Sequence, residues 1–360
     1  MSSAGDAAKP RAGAGHELEA ETFRKLYPDE YVYKFLRENT RPDGRTHGRF
    51  RRTTVTLGAI STAHGSSLVC IGGTAVICGV KAEVAEPRLD APGEGYLGTA
   101  RGIPNIELSP LCSSRFKPGP PSDEQQVLSD RLNMFLKELS VSASPECPAG
   151  HLAPARFVDG ACACWVLTRR SRSVDLSKLC IEPGKAVWVL YVDVQCLNYD
   201  GNVMDAMLAA ATTALINGTN VRTFGRWKIW ESLRWRLVSL RFQRPVGVAV
   251  RLPEARINEE TEIVEAEVQR STPLELRRRI FSATVAVLEG EVHLVDSSDA
   301  EDQVALTSIT VACDEEGVLC GTWKPGGLPV SPDELGKCIA VAKQRHATWM
   351  SLTQKAIGAV

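Results

Sequence analysis

Net charge is what this chain of 360 residues has least of: 42 Lys and Arg stand against 43 Asp and Glu, leaving -1 with neutral histidines. A polyanion therefore meets no whole-molecule attraction, and any contact with nucleic acid must come from a local patch. Long apolar runs are missing too. No stretch reaches the roughly 18 consecutive apolar residues of a membrane span, and the opening MSSAGDAAKPRAGAGHELEA lacks the hydrophobic stretch of a signal peptide. Neither membrane insertion nor secretion is expected.

Metal-ligand spacing is equally scarce. Cys162 and Cys164 form a C-x-C pair with no second pair and no histidine at ligand distance, His151 lying too far off, so no metal is expected. The Gly-rich strings lack the Lys-Ser/Thr or strand-to-helix setting of a phosphate-binding loop, and no cofactor is expected. Of the 11 cysteines, Cys70, Cys78, Cys180, Cys196, Cys313 and Cys320 sit in or beside apolar runs, where a free thiol behaves as a small hydrophobe. They read as reduced core residues. Hydrophobic residues make up 44% of the chain, enough for a sizeable core.

The Gly/Ala-rich segment 1–16 has little to bury and reads as a disordered tail. Helical spacing runs from Glu17 to Asn39, broken at Pro28, and predicts one or two short helices. The Arg41 to Arg45 cluster RPDGR reads as a turn, ordered by Pro42, Gly44 and a local ion pair rather than serving as a catalytic set of charges. Three β-branched segments follow, Thr53 to Ser61, Ser66 to Gly72 and Thr74 to Pro87. Turns at His64-Gly65 and Gly72-Gly73 would make them an antiparallel meander. Ser122 to Leu139 has the periodicity of an amphipathic helix, with Val127, Leu128, Leu132, Phe135, Leu136 and Leu139 on the apolar side. A long strand from Lys185 to Asn198 turns at Tyr199-Asp200-Gly201-Asn202 into an Ala-rich helix, Val203 to Ile216. Asp193 within that strand reads as a satisfied polar residue at a strand or subunit boundary. Strands at Ile263 to Val268, Thr284 to Leu288, Val292 to Val295 and Leu306 to Cys313 precede a last helix, Ser331 to Lys355, with acids in its first turn. The pattern is strands then helix, twice.

Two stretches break it. Residues 140–172 mix Pro, Cys, Gly and Arg without period. Residues 221–250 set seven cations against the single acid Glu231, interleaved with Trp227, Trp230, Trp235 and Phe242. Such a mixture suits nucleic-acid contact. Its position in a surface loop suits an unusual splice product or a translated intron, which is the preferred reading.

RPDGR followed by FRRTTVTLGAISTAHGSSLVCIGGTAVICGVKAEVAEP resembles the RNase PH family, which includes RNase PH, polynucleotide phosphorylase and the exosome ring subunits. PNIELSPLCSSRFKPGPPSDEQQV, LCIEPGKAVWVLYVDVQCLNYDGNVMDA and DEEGVLCGTWKPGG resemble the non-catalytic class of those ring subunits. The resemblance runs from Tyr31 to Met350 outside the two aberrant stretches. It implies an α+β, RNase PH-type fold of two similar β/α halves, with antiparallel-rich sheets packed with helices. The first half would span 17–220 and the second 251–360. It also implies a hetero-oligomeric ring with other RNase PH-like subunits and cap subunits, single-stranded RNA as ligand, and residence in nucleus, nucleolus and cytoplasm.

Active relatives hold phosphate after the Asp-Gly turn with a Gly-Ser/Thr-Arg element. On that alignment Val203 takes the hydroxyl position and Met204 the arginine position, while Ser308 stands where an aspartate would assist the leaving nucleotide. The expected role is therefore structural and RNA-guiding, without phosphorolysis. A phosphate-dependent exoribonuclease and a stand-alone RNA-binding protein are the alternatives. Arg115, Phe116 and Lys117 fall in the loop that the resemblance sets beside the RNA path. The two cations would meet phosphates and Phe116 would stack a base, or the loop is solvated with Phe116 packed inward.

Overall fold

The computed structural model describes residues 22–89, 93–97, 104–137, 176–217, 227–228, 251–258, 263–274, 276, 278–288, 292–327 and 329–358. The expected tail 1–16, the 140–172 stretch with Cys162 and Cys164, and the basic stretch apart from 227–228 lie outside them.

β-branched and apolar residues at period two build the first sheet. Its strands β1 (Thr53–Leu57), β2 (Gly65–Ile71) and β3 (Thr74–Ala85) form the expected antiparallel meander. Gly72, at φ +56°, makes the tight reversal between β2 and β3. The other predicted turn is placed differently: Gly65 already lies in β2, and residues 58–64 form the connection. His64 extends the ladder, its amide donating to the Val80 carbonyl (2.9 Å) and its Nδ1 accepting from the Ala82 amide (3.2 Å).

Two short strands after the meander, β4 (Tyr96–Leu97) and β5 (Asn105–Leu108), pair in parallel with the long strand β7 (Ala186–Asn198). Strand β6 (Cys180–Glu182) pairs with β7 antiparallel, and β7 closes on β3 along its length. Asp193 is exposed on β7 in the single chain. It borders a shallow depression of about 370 Å³ with Lys81, Asn105 and Glu107.

A smaller antiparallel sheet joins β8 (Trp227–Lys228), β9 (Arg251–Asn258) and β10 (Ile263–Pro273) in the order β8, β10, β9. The second large sheet is antiparallel throughout. Its strands are β11 (Phe281–Leu288), β12 (Val292–Val295), β13 (Thr307–Cys313) and β14 (Leu319–Trp323), in the order β12, β11, β13, β14.

Helices that pack on these sheets include α1 (Pro28–Arg37), α2 (Asp123–Lys137), α3 (Val203–Ile216), α4 (Asp299–Val304) and α5 (Pro332–Gly358). Pro28 starts α1 at a position where its missing N–H costs nothing, which is why the periodicity breaks there. On α2 the expected face holds for Leu128, Leu132, Phe135 and Leu136, all buried, whereas Val127 is 43% exposed. Every residue of α3 is buried, the signature of a helix covered on all sides. It lies between the first sheet and β11, and its neighbours include Val69, Val194, Phe281 and Trp349.

Alternation along β11 serves two layers. Ala283, Val285 and Val287 meet Cys338 and Ala342 of α5, while Ala286 and Leu288 meet Val32 and Leu36 of α1. The α+β arrangement of antiparallel sheets and helices is the expected one. Packing does not respect chain order, however: α1 precedes the first sheet in sequence yet covers the second. Among the described residues, the eight cysteines Cys70, Cys78, Cys112, Cys180, Cys196, Cys313, Cys320 and Cys338 are free thiols. No described helix is long and apolar enough to cross a membrane.

Candidate functional site

The turn between β7 and α3 is the point where the two large sheets meet. Gly201 has φ +72° and Asn202 φ +48°, left-handed values that glycine and asparagine tolerate best. A Cβ on Gly201 would lie 2.6 Å from the Ser297 carbonyl oxygen and 2.6 Å from the Asp299 amide nitrogen, so glycine permits this approach. Facing it, Asp296 is also left-handed, at φ +55°. Its carboxylate is buried beneath the turn.

Arg51 ties the pieces together. Its Nη1 donates to the Asp200 carbonyl (2.6 Å) and to Asp200 Oδ2 (3.1 Å), and its Nη2 donates to Asp296 Oδ1 (2.8 Å). The Arg51 amide reaches Asp296 Oδ2 at 2.7 Å and Asn202 Nδ2 reaches Oδ1 at 2.8 Å. Burial alone would raise the Asp296 carboxyl, but the Arg51 guanidinium overrides it and holds the group below the usual carboxylate range.

Behind this lies Arg41, fully buried. It pairs with both oxygens of Glu301 and donates from Nη1 to the Val295 carbonyl (2.7 Å) and from Nη2 to the Asp296 carbonyl (3.0 Å). In the RPDGR segment the expected local ion pair is present, Arg45 to Asp43 at 2.9 Å. The segment's reach is not local. Arg41 anchors the segment to the start of α4, more than 250 residues away.

Beside this lock opens a cleft of about 350 Å³. One wall is a face of α2 (Glu124, Val127, Leu128, Arg131), the other runs from Asp302 through Ser308, and Asn202, Val203, Met204 and Thr284 form its floor. Asp302 accepts from the Asn202 amide (3.2 Å) and from Ser297 Oγ. Burial dominates these bonds and pushes its carboxyl up to about 6. Deeper, Asp205 is buried, and burial raises its carboxyl although Ser282 Oγ (2.6 Å), the Thr284 amide (2.8 Å) and Thr284 Oγ1 (3.0 Å) all donate to it. Met204 and Ser308, 104 positions apart in sequence (308 minus 204), line this one cleft.

The 3′ exoribonuclease (RNase PH) family matches this chain twice, its domain 1 over residues 49–219 and its domain 2 over residues 279–345. The chain belongs to the RNase PH family. Exosome complex component rrp43 of Schizosaccharomyces pombe is 31% identical over 323 residues, 90% of this chain and 94% of that protein. Exosome complex component Rrp42 of Methanothermobacter thermautotrophicus is 30% identical over 314 residues, covering 87% and 89%. Among solved structures, a chain of the Archaeoglobus fulgidus exosome with RNA bound to the active site superposes with a TM-score of 0.64 at 25% identity. That match covers 93% of this chain and 98% of the other.

The loop expected to meet RNA in this RNase PH member packs differently from one of its readings. Phe116 is buried, 7% exposed, with its ring edge-on to Tyr199 at 5.4 Å, so it offers no face for base stacking. Burial wins because Phe116 closes the core cluster under β5 and α2. Arg115 is partly exposed but engaged, pairing with Glu124 (2.6 Å) and Asp299 (3.2 Å). Lys117 is exposed. The sequence reading missed Arg51, Asp296 and the α4 start. A signal was there for the last: Ser298-Asp299-Ala300-Glu301 is an S-x-x-E capping box.

Proposed function

We propose that this chain is a catalytically silent ring subunit of an RNA exosome, serving 3′-to-5′ RNA processing and decay by building the ring and guiding single-stranded RNA. Ring membership rests on the two family domains and on the near full-length likeness to exosome components. Its companions would be other RNase PH-like subunits and cap subunits, in nucleus, nucleolus and cytoplasm. The two halves would be 17–220 and 251–360, with 140–172 and 221–250 as insertions.

The observation that carries the silent reading is the composition of the cleft. If Met204 stands at the phosphate-binding arginine position and Ser308 at the acidic one, both positions fall in one cleft and neither carries its charged group. A thioether cannot neutralise an attacking phosphate, and a serine hydroxyl cannot act as a carboxylic general acid. Losing one such preorganised charge costs about 3 to 4 kcal/mol of transition-state stabilisation. Incubating the purified chain with single-stranded RNA and inorganic phosphate should release no nucleoside diphosphate; robust release overturns the silent reading. RNA guidance then rests on Arg115 and Lys117. Within an assembled ring, Arg115→Glu with Lys117→Glu should weaken RNA binding, and unchanged affinity would remove these two from the RNA path.

A further inference from the structure

The cleft holds one cation that its surroundings leave unbalanced. Arg131 projects from the lining face of α2, two helical turns beyond Glu124. Its guanidinium lies 4.7 Å over the Trp323 ring, and its Nε is buried without a hydrogen-bond partner. Burial lowers its pKa to about 10, opposed only by Glu124. Both oxygens of Glu124 are already taken, Oε1 by the Tyr199 hydroxyl (3.0 Å) and Oε2 by Arg115 Nη2 (2.6 Å). The Asp302 oxygens are likewise engaged by Ser297 and Asn202. Nearby, Asn202 Oδ1 is a buried acceptor that no donor reaches. At the rim Val127 and Leu306, each 43% exposed, present apolar surface across the opening.

An occupant that answers all three features brings one anionic group, one N–H donor and an apolar body. We propose that the cleft docks an extended peptide segment of a partner protein, setting an acidic side chain on Arg131, a backbone N–H on Asn202 and an apolar side chain between Val127 and Leu306. The volume lies within the range of about 300 to 1,000 Å³ typical of ligand sites. A polynucleotide fits less well. Its binding draws on rows of cations and open aromatic faces, whereas Arg131 is the one cation among the described lining residues. Tyr199, the aromatic residue in the lining, is covered by Phe116 and by the Arg115 guanidinium at 5.1 Å. The docking role goes beyond the ring-subunit reading and stands or falls separately from it.

The test uses the purified full chain on an array of terminally blocked octapeptides, each with one Glu adjacent to or two residues from a Leu, beside matched peptides carrying Gln. A subset of Glu peptides should bind, with the Gln versions about tenfold weaker. Arg131→Met, which keeps the stem over Trp323, should lose the same factor, and Arg131→Lys should keep most of the binding. Titration with a bound peptide should also shift the Met204 methyl resonance, assigned through Met204→Leu. Equal binding of Glu and Gln peptides, or an unmoved Met204 methyl, overturns the proposal. So does a single-stranded oligouridylate that shifts Met204 in place of the peptides. If Arg131→Met does not fold, as a thermal melt would reveal, the Glu/Gln comparison and Arg131→Lys decide alone.

Discussion

Arg41 and Glu301 are both fully buried, so removing either partner strands a charge where water cannot reach it. Arg41→Met should cost about 3 to 5 kcal/mol in chemical denaturation, and adding Glu301→Leu should recover much of that loss. A double variant as unstable as the single one would show that Arg41 matters through its carbonyl contacts instead. Asp302 works through pH. Its folded value of about 6, against 3.8 for an exposed aspartate, means that burial favours the protonated form. That contribution is fully present below pH 3.8 and is lost as pH rises through about 6, a swing of roughly 3 kcal/mol. Asp296 has the opposite sign, because its depressed value gives stability above the ordinary carboxylate range that is lost on acidification. Asp302→Asn should therefore match the parent at acid pH and exceed it at pH 8. A difference in melting temperature that stays constant between those limits would refute the assignment. None of this was legible from local sequence. RPDGR reads as a turn because its turn chemistry is local, whereas the partners of Arg41 and Arg51 come from positions no short window joins.

Elements were legible where the period was long and the faces unequal. Helix α3 begins and ends at the residues its apolar run predicts, and α2 and α5 fall within a few residues of expectation. Strands β4, β5, β6, β8, β9 and β14 went unread. Four alternating residues, Asn105 to Leu108, carry too little pattern to stand out after a proline, and pairing with β7 is what makes them a strand. The exposed start of α5 offers a clean local test. The Ser331 amide donates to Glu334 Oε2 (2.7 Å) and the Glu334 amide donates back to Ser331 Oγ (3.2 Å), a reciprocal box. Ser331→Ala should cost about 1 kcal/mol and Ser331→Gly only a few tenths. Equal losses would mean that the loop before α5, and not the hydroxyl, holds the helix end.

At the scale of the whole molecule, two sequence halves do not amount to two independent cores. The cluster around α3 draws Val69, Val76 and Val194 from one sheet, and Phe281, Ala312, Cys320 and Trp349 from the other sheet and α5. Trp349 stacks on Phe281 at 5.6 Å, while Arg345 of the same helix donates to Thr53 Oγ1 of β1 at 2.7 Å. Helix α5 therefore grips both sheets. Periodicity revealed which side of each helix is apolar but not what that side would meet, so the interleaving of α1, α3 and α5 was beyond the sequence. It has a thermodynamic consequence. With α3 buried on every side, opening either sheet exposes the same helix to water, at about 25 cal/mol per Å² of apolar surface. Neither half can then unfold and leave the other intact. Calorimetry on the full chain should show one transition whose calorimetric and van't Hoff enthalpies agree, and Arg41→Met should lower it without splitting it. Two resolved transitions in the parent, or a chain ending at residue 220 that melts cooperatively alone, would show that α3 can be covered from one side only.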